Sequence, residues 1–259
     1  MRHVIIGGGP AGITAAETLR KADPACSITV VHGERGLPYA RMTIPYLLAG
    51  QIGEEGTRIR PTPEHYERHR IELVGGNVVS VDASACTVAL EGGRTLPYDR
   101  LLVATGATPS LQRMPGINLP NVHTCWTLDD VRTFTAKAKP GTRVVQMGAG
   151  FVGCVIMKGL VSMGVDLTIL VRSGRMVSRM MNPVASGMMR RWCQSKGVDV
   201  RVNTLPKELR AVDGELRVVL ENEELPADIY LCLVGVKPNV AFLDGTGVET
   251  NEGILVDST

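Results

Sequence analysis

Two glycine-rich turns constrain this chain more than any other feature of its sequence. Both have the spacing Gly-x-Gly-x-x-Gly, and their glycines are Gly7, Gly9 and Gly12, then Gly148, Gly150 and Gly153. In each copy a short apolar run precedes the turn, a helical stretch follows it, and a second apolar run follows the helix. Apolar runs of this kind are typical of buried parallel strands. The sequence therefore predicts a strand–helix–strand unit that occurs twice.

Each glycine of the spacing has its own physical reason. The first allows a tight turn after the strand, and the third lets the helix pack closely against the sheet. The second has no Cβ, so a diphosphate can approach the main chain where the helix start offers amide groups and a positive dipole end. Pro10 and Ala11 would line the diphosphate at the first turn, and Phe151 and Val152 would line the one at the second turn. The alternative, glycines that only shape turns, fits the strand–helix–strand context less well, and we predict two dinucleotide sites.

A glycine-ended strand closes each copy. The first runs over residues 98–107 and ends in the small residues Ala104, Thr105 and Gly106, which suit a position beneath a nucleotide. The second runs over residues 227–239 and includes Gly235. Because the repeat reaches from the opening strand to the closing strand, we predict an α/β protein with two tandem Rossmann-like, doubly wound domains.

Composition and charge exclude several other classes of protein. The net charge of +2 is the difference between 28 basic and 26 acidic side chains, which gives no electrostatic reason to expect nucleic acid or an anionic membrane. The apolar run at the amino terminus is too short for a signal sequence, and no stretch is long enough to span a bilayer. The six cysteines form no Cys-x-x-Cys pair and no zinc-ligand pattern, so we expect reduced thiols in a cytoplasmic protein.

The motifs together resemble the pyridine nucleotide–disulfide oxidoreductase superfamily. They are similar to its branch of rubredoxin reductases, oxygenase-coupled ferredoxin reductases and the flavin part of assimilatory nitrite reductase. The resemblance covers nearly the whole chain. It depends on the two glycine turns, Leu-Pro-Tyr-Ala-Arg at residues 37–41, Ala-Thr-Gly at residues 104–106 and Gly-Val-Lys-Pro-Asn at residues 235–239.

The resemblance implies that the first unit binds FAD. An acid near the end of the second strand would bind the adenosine ribose; the strand ends at His32, and the nearest carboxylate is Glu34. Val78 fits the position whose backbone meets the adenine, and Arg41 fits the place of a cation near the flavin or its phosphates. The alternative for Glu34 and Arg41 is that both are ordinary solvated surface residues. Tyr46 either lies beside the flavin or packs in the core.

The resemblance also implies that the second unit binds NAD(P)H. Relatives that prefer NADH carry a carboxylate where this chain has Val171, and Arg172 follows it, with further arginines nearby. Since arginine suits a 2′-phosphate, we favour NADPH slightly over NADH. The alternative is that these arginines are only solvated side chains that keep a loop soluble. Val155 stands where many relatives have a glutamate near the nicotinamide, so this site could be slow or vestigial.

The absence of cysteine from residues 27–85 points to the electron acceptor. Disulfide reductases of the superfamily use cysteines in that region, and without a thiolate electrons cannot pass to a protein disulfide in the usual way. We therefore expect an FAD-dependent NAD(P)H oxidoreductase that delivers electrons to an external redox protein, quinone or small oxidant. The alternatives are a non-catalytic dinucleotide-binding fragment and a flavoprotein reduced by another substrate. We assign no side chain as a general acid or base.

Domain boundaries follow from the same resemblance. We expect an FAD domain from residues 1–115 and 236–259, with an NAD(P) domain, residues 116–235, inserted between them. In the family, a second flavin motif and an interface domain come after residues like 253–257. We therefore expect this fragment to bind FAD weakly or not at all, and the resemblance leaves a homodimer open.

A helical stretch near residues 180–193 carries methionine pairs and Trp192. We interpret these side chains as core or as a soft interface, not as part of a cofactor site.

Overall fold

The computed structural model describes residues 1–257, and the chain divides into two compact units. The first unit contains Met1–Arg41, Glu54–Thr108 and the chain from Lys237 onward; the second contains Met42–Gly53 and Pro109–Val236. The second unit therefore includes residues 42–53, 109–115 and Val236, which the sequence analysis assigned to the first domain. Which cofactor each unit binds stays a prediction.

The elements alternate between strands and helices along much of the chain. The strands are β1 (Arg2–Ile6), β2 (Ser27–His32), β3 (Ile71–Gly75), β4 (Val78–Asp82), β5 (Thr87–Leu90), β6 (Thr95–Pro97), β7 (Arg100–Val103), β8 (Ala107–Pro109), β9 (Val122–His123), β10 (Arg143–Met147), β11 (Asp166–Val171), β12 (Asp199–Val202), β13 (Glu208–Val212), β14 (Glu215–Val219), β15 (Glu224–Ala227), β16 (Ile229–Cys232) and β17 (Val236–Pro238). The α-helices are α1 (Pro10–Ala22), α2 (Ile44–Leu48), α3 (Glu64–Arg68), α4 (Leu128–Lys137), α5 (Phe151–Ser162) and α6 (Pro183–Ser195). Short 3₁₀ turns occur at Arg41–Thr43, Glu54–Thr57 and Ala241–Leu243.

The first unit is built on a parallel sheet with the strand order β3-β2-β1-β7. The central strands β1 and β2 read as apolar runs because both of their faces are largely covered, and Ile5 and Val30 are fully buried. Helix α1 begins at a proline, which suits the first helical position, and it buries Ile13 and Ala16 against the sheet. A three-stranded antiparallel sheet, β4-β5-β6, adds Val88 to a second cluster of core residues.

The second unit repeats this arrangement. Its parallel sheet has the order β12-β11-β10-β16-β9, and an antiparallel sheet, β13-β14-β15, follows it. Helix α5 buries Ile156 and Leu160, and Gly159 meets α2 so closely that a Cβ there would lie 2.5 Å from the Cβ of Leu48. This contact explains why the short segment around α2 belongs to the second unit. Strands β8 and β17 pair with each other in a separate two-stranded sheet.

These sheets confirm the predicted α/β fold class. In both units the opening strand lies between the strand that follows its helix and the strand that closes the copy. The same backbone hydrogen bonds join these three strands in each unit: Gly7 N–H to Val31 O and Ala104 N–H to Ile6 O, then Gly148 N–H to Leu170 O and Leu233 N–H to Met147 O. Across residues 1–257, no helix is both long and apolar enough to cross a bilayer.

One buried arginine holds the end of α1 in place. Arg20 is only 8% exposed, and its guanidinium donates to the carbonyls of His69 at 2.7 Å, Arg70 at 2.9 Å, Cys26 at 2.8 Å and Pro24 at 3.0 Å. Arginine suits this position because its planar group carries five donors. It fixes the helix end to the segment that leads into β3.

Replacing Arg20 with methionine is expected to lower the free energy of unfolding by about 3 kcal/mol, because several partly buried carbonyls lose their donor. Urea denaturation measures this loss. The matched control is Lys21→Met in the same helix, where the side chain is exposed and the midpoint should hardly move. Equal midpoints for Arg20→Met and the unchanged protein would show that the guanidinium does not hold the helix end.

Candidate nucleotide-binding sites

The carboxyl ends of the parallel strands bring the predicted residues of the first unit to one edge of the sheet. Strand β1 ends just before Gly7, β2 ends at His32, and β7 ends just before Ala104. The chain places β2 on one side of β1 and β7 on the other. A crevice forms at such a reversal of strand order, and nucleotides bind there in open α/β sheets.

Two glycines of the first turn are required by the fold. Gly7 has a φ of +121°, and a Cβ there would lie 2.1 Å from the Ala104 carbonyl oxygen. At Gly12 a Cβ would lie 1.9 Å from the Gly7 carbonyl oxygen. Neither position can hold a side chain without moving the backbone. These contacts lock the end of β1, the start of α1 and the end of β7 together.

The middle glycine is different. Gly9 has a φ of −77°, which any residue adopts, and no atom of residues 1–257 outside its immediate neighbours lies within 4 Å of a Cβ built there. The fold therefore gives no reason for glycine at this position. A ligand that approaches the main chain does give one, because a methyl group would occupy the space that the ligand needs.

The start of α1 is suited to an anion. Its first helical backbone bond runs from Ile13 N–H to Gly9 O at 3.1 Å, so the amides of Ala11 and Gly12 precede the hydrogen-bond ladder of the helix. No side chain caps this end, and no acid lies in the first turn. Amide donors and the positive end of the helix dipole then meet at the open space beside Gly9.

Glu34 and Arg41, two predicted flavin-site residues, contact each other. Arg41 Nη2 donates to Glu34 Oε1 at 2.5 Å, and the Tyr39 hydroxyl donates to the other carboxylate oxygen of Glu34. Arg41 Nη1 also donates to the Ala107 carbonyl at 3.1 Å. Burial is the largest influence on the pKa of the Arg41 guanidinium and lowers it, but the hydrogen bonds and charges of Glu34 and Tyr39 together outweigh burial and raise that pKa above its ordinary value. The two side chains are therefore paired and partly exposed, and their roles toward a flavin stay predictions.

The other predicted residues of the first unit lie on neighbouring loops. Val78 opens β4, shortly after the end of β3. Thr105 and Gly106 follow β7, and a Cβ at Gly106 would lie 3.9 Å from Arg41 Nη1. Asn239, the last residue of the motif at residues 235–239, had no role assigned from the sequence. Its carbonyl accepts from the Thr105 hydroxyl at 2.7 Å, and its side chain donates to the Thr105 carbonyl at 3.0 Å.

The second unit has the same division of roles among its glycines. Gly148 has a φ of +109°, and a Cβ there would lie 2.3 Å from the Leu233 carbonyl oxygen. A Cβ at Gly153 would lie 2.4 Å from the Gly148 carbonyl oxygen. At Gly150 nothing among the described residues lies within 4 Å of a Cβ. The Phe151 side chain is 63% exposed, and Val152 follows it in the first turn of α5.

A buried amide distinguishes the second turn from the first. Gln146 is fully buried, and its Nε2 donates to the Gly148 carbonyl at 2.8 Å and to the Gly153 carbonyl at 3.1 Å. The equivalent residue of the first unit is Ile5, which packs there without a polar group. The sequence analysis missed this amide, although one polar residue inside an apolar strand was a visible signal.

The loop beyond β11 carries the predicted phosphate-binding arginine. Strand β11 ends at Val171, and Arg172, Arg175 and Arg179 in the following loop are exposed. Gly235, with a φ of +137°, follows the end of β16. Because β10, β11 and β16 are parallel neighbours, these residues and Gly150 lie at the same edge of the second sheet.

Cys154 lies at the start of α5, where it is partly buried. Burial raises the pKa of Cys154, at the start of α5, to about 11, so it stays a thiol. Among residues 1–257, no group of three or more His, Cys, Asp or Glu side chains could hold a metal ion.

The two glycine turns, each at the carboxyl edge of a parallel sheet, define a protein of the double dinucleotide-fold class. A family model described as pyridine nucleotide-disulphide oxidoreductase matches residues 1–259. The chain belongs to this family, which confirms the resemblance found in the sequence.

Relatives and solved structures agree with this membership. The chain is 34% identical to rhodocoxin reductase of Rhodococcus erythropolis, over 99% of this chain and 61% of the relative. It is 31% identical to the ferredoxin–NAD(+) reductase component of the anthranilate 1,2-dioxygenase system of Burkholderia cepacia, over 98% of this chain and 63% of the relative. A putidaredoxin reductase, solved in a covalent complex with putidaredoxin, superposes with a TM-score of 0.91 at 26% identity, over 97% of this chain and 62% of that one. The chain thus spans about three fifths of the length of these proteins.

Alanine at the two open glycines is expected to remove nucleotide binding without unfolding the protein. Gly9→Ala and Gly150→Ala should each keep the stability within about 1 kcal/mol, because the added methyl meets no protein atom. Each should weaken binding at its own turn at least ~10-fold, because the methyl occupies the place of a diphosphate. Calorimetric titration with FAD and NADPH, beside urea denaturation, measures both effects.

The matched controls for these variants are Gly12→Ala and Gly153→Ala. Their Cβ atoms would lie 1.9 Å and 2.4 Å from main-chain carbonyl oxygens, so stability itself should fall. If Gly150→Ala and Gly9→Ala bound both nucleotides as tightly as the unchanged protein, the open space beside these glycines would not be the diphosphate site.

Proposed function

We propose that this chain is the nucleotide-binding part of an FAD-dependent NAD(P)H oxidoreductase that passes electrons to an acceptor outside the chain. The observation that carries the proposal is the pair of open glycines, Gly9 and Gly150, each between glycines that the fold requires. Both lie at the start of a helix, at the carboxyl edge of a parallel sheet. The family membership agrees with two dinucleotides in one chain.

In this proposal the first unit holds FAD. The amides after Gly9 bind the diphosphate, and the carboxylate of Glu34 accepts from the adenosine ribose. Arg41 orients that carboxylate, because its guanidinium donates to one of the two carboxylate oxygens at 2.5 Å. Bound FAD would supply the ability to accept a hydride and release electrons singly; the protein supplies position and electrostatics.

The second unit binds the nicotinamide nucleotide in this proposal. The amides after Gly150 hold its diphosphate, and Gln146 ties the glycine turn to the start of α5, since its side-chain amide donates to the Gly148 and Gly153 carbonyls. NADPH is favoured over NADH because β11 ends at Val171 with no carboxylate, and Arg172 follows. One relative is named a ferredoxin–NAD(+) reductase component, which supports NADH as the alternative coenzyme.

An external redox protein is the acceptor that fits best. Residues 27–85 contain no cysteine, so a thiol relay of the kind that disulfide reductases use has no residue in that region. One relative is named as a ferredoxin reductase component and one structural neighbour was solved with its redox protein. Free thiols at all six cysteines are consistent with the cytoplasmic location proposed from the sequence.

Anaerobic mixing of the chain with excess FAD and NADPH tests the function. The sequence predicts weak FAD binding at best, so FAD is supplied in excess. Loss of the oxidised flavin absorbance is then expected with the unchanged chain, and Gly150→Ala should slow this loss at least ~10-fold at subsaturating NADPH. Unchanged flavin absorbance together with measurable binding of both nucleotides would contradict the proposal and favour a non-catalytic binding module. Reduction of the flavin by another substrate, but by neither NADPH nor NADH, would favour a flavoprotein that takes its electrons from that substrate.

Arg172→Glu tests the preference for NADPH. The new carboxylate should repel a 2′-phosphate and accept from a 2′-hydroxyl, so the ratio of NADPH to NADH affinity should fall by about 10-fold or more. Arg113→Glu, an exposed arginine of the same unit, is the charge-matched control. If Arg172→Glu changed the NADPH and NADH affinities equally, Arg172 would not contact the 2′ group of the nucleotide.

A further inference from the structure

The second glycine turn is held by a buried side chain whose equivalent in the first unit is apolar. Gln146 lies in β10, and its Nε2 donates to the Gly148 carbonyl at 2.8 Å and to the Gly153 carbonyl at 3.1 Å. The equivalent residue of β1, Ile5, has no hydrogen-bond donor in its side chain. Because the first unit forms the same turn without this amide, the repeated fold does not require it.

The buried amide of Gln146 carries a cost in stability. Its second polar atom, Oε1, is buried and has no hydrogen-bond partner within the part of the chain that the structure describes. A buried acceptor without a partner destabilises the folded state, and an apolar side chain of similar volume would avoid that cost. Packing alone therefore gives no reason for glutamine at this position.

The next carbonyl of the turn is held by a residue in an unfavourable backbone conformation. The amide of Val177 donates to the Ala149 carbonyl at 2.8 Å. Val177 has a φ of +47°, a region that β-branched residues rarely adopt. The loop is fixed in place beside it, because the buried hydroxyl of Ser186 donates to the Met176 carbonyl at 2.6 Å. Strain of this kind is concentrated at functional sites.

These two bonds set the direction of the amides that follow. A trans peptide group is planar, so its carbonyl and the N–H of the next residue point in opposite directions. Since the Gly148 carbonyl points to Gln146, the Ala149 N–H points away from Gln146. By the same geometry the Gly150 N–H points away from Val177. Among residues 1–257, neither amide donates to another backbone group, so both remain available to a ligand.

We propose that Gln146 is a positioning residue for the nicotinamide nucleotide. With the Val177 amide, it fixes the second turn so that the amides of Ala149 and Gly150 are already directed for a diphosphate. This inference rests on the proposed function, which gives the nicotinamide nucleotide to the second unit. In that reaction the nicotinamide nucleotide leaves and is replaced in every cycle, whereas the flavin is reused. A site that is repeatedly empty gains affinity from a turn that needs no reordering on binding.

Gln146→Met removes the amide and keeps the volume of the side chain. Calorimetric titration compares ADP-ribose 2′-phosphate, which contains a diphosphate, with adenosine 2′-monophosphate, which does not. The affinity for ADP-ribose 2′-phosphate should fall at least ~10-fold, because the turn must be reordered on binding. The affinity for adenosine 2′-monophosphate should stay within about 2-fold, because the loop with Arg172 is unchanged. A general loss of structure would weaken binding of both probes.

Urea denaturation separates positioning from folding. The midpoint of Gln146→Met should stay within about 0.5 M of the unchanged chain, because the lost hydrogen bonds are offset by removal of the unpaired oxygen. Val144→Ala is the matched control, since Val144 is 1% exposed and lies two residues earlier on the same face of β10. It should lower the midpoint through the cavity it leaves and change neither probe affinity by more than about 2-fold. Gln146→Ile, which copies Ile5, replaces Gln146→Met if that variant does not fold.

The outcomes distinguish this inference from the proposed function. If Gln146→Met and the unchanged chain bound ADP-ribose 2′-phosphate equally, the role of Gln146 would be overturned and the proposed function would stand. Equal weakening of both probes would also overturn it, because Gln146 would then act only on the structure. An unchanged chain that bound neither probe nor NADPH would contradict the proposed function and, with it, this inference.

Discussion

Close backbone contacts at the two glycine turns decide where ligands can bind. In each unit the first glycine of the turn meets the carbonyl at the end of the closing strand, and a Cβ would lie 2.1 Å away at Gly7 and 2.3 Å away at Gly148. The third glycine meets the carbonyl of the first. Together these contacts fix a strand end, a helix start and a neighbouring strand end. The space beside Gly9 and Gly150 is left open, with amides directed toward it.

The two copies share this frame and differ in the side chains around it. Under the first turn Ile5 packs without a polar group, whereas Gln146 bridges two carbonyls under the second. Beyond the second strand, the first unit has Glu34, while the second has Arg172. A carboxylate suits ribose hydroxyls and an arginine suits a phosphate. The difference gives a physical basis for two different nucleotides on one repeated backbone.

The sequence predicted the α/β fold and the family because glycine spacing and apolar runs are local patterns. Other features depend on contacts between distant segments, so local patterns could not show them. The segment around α2 belongs to the second unit because Leu48 packs on Gly159. The ion pair of Glu34 with Arg41 and the hydrogen bonds of Asn239 to Thr105 also arise only once the chain has folded. The roles of these residues toward cofactors stay predictions.

A crystal structure of the chain with FAD and NADPH bound tests the two-nucleotide arrangement most directly. The expected density places one diphosphate within hydrogen-bond distance of the amides after Gly9 and another at the amides after Gly150. Density for either nucleotide elsewhere on the chain, with these two turns empty or covered by protein atoms, would contradict it.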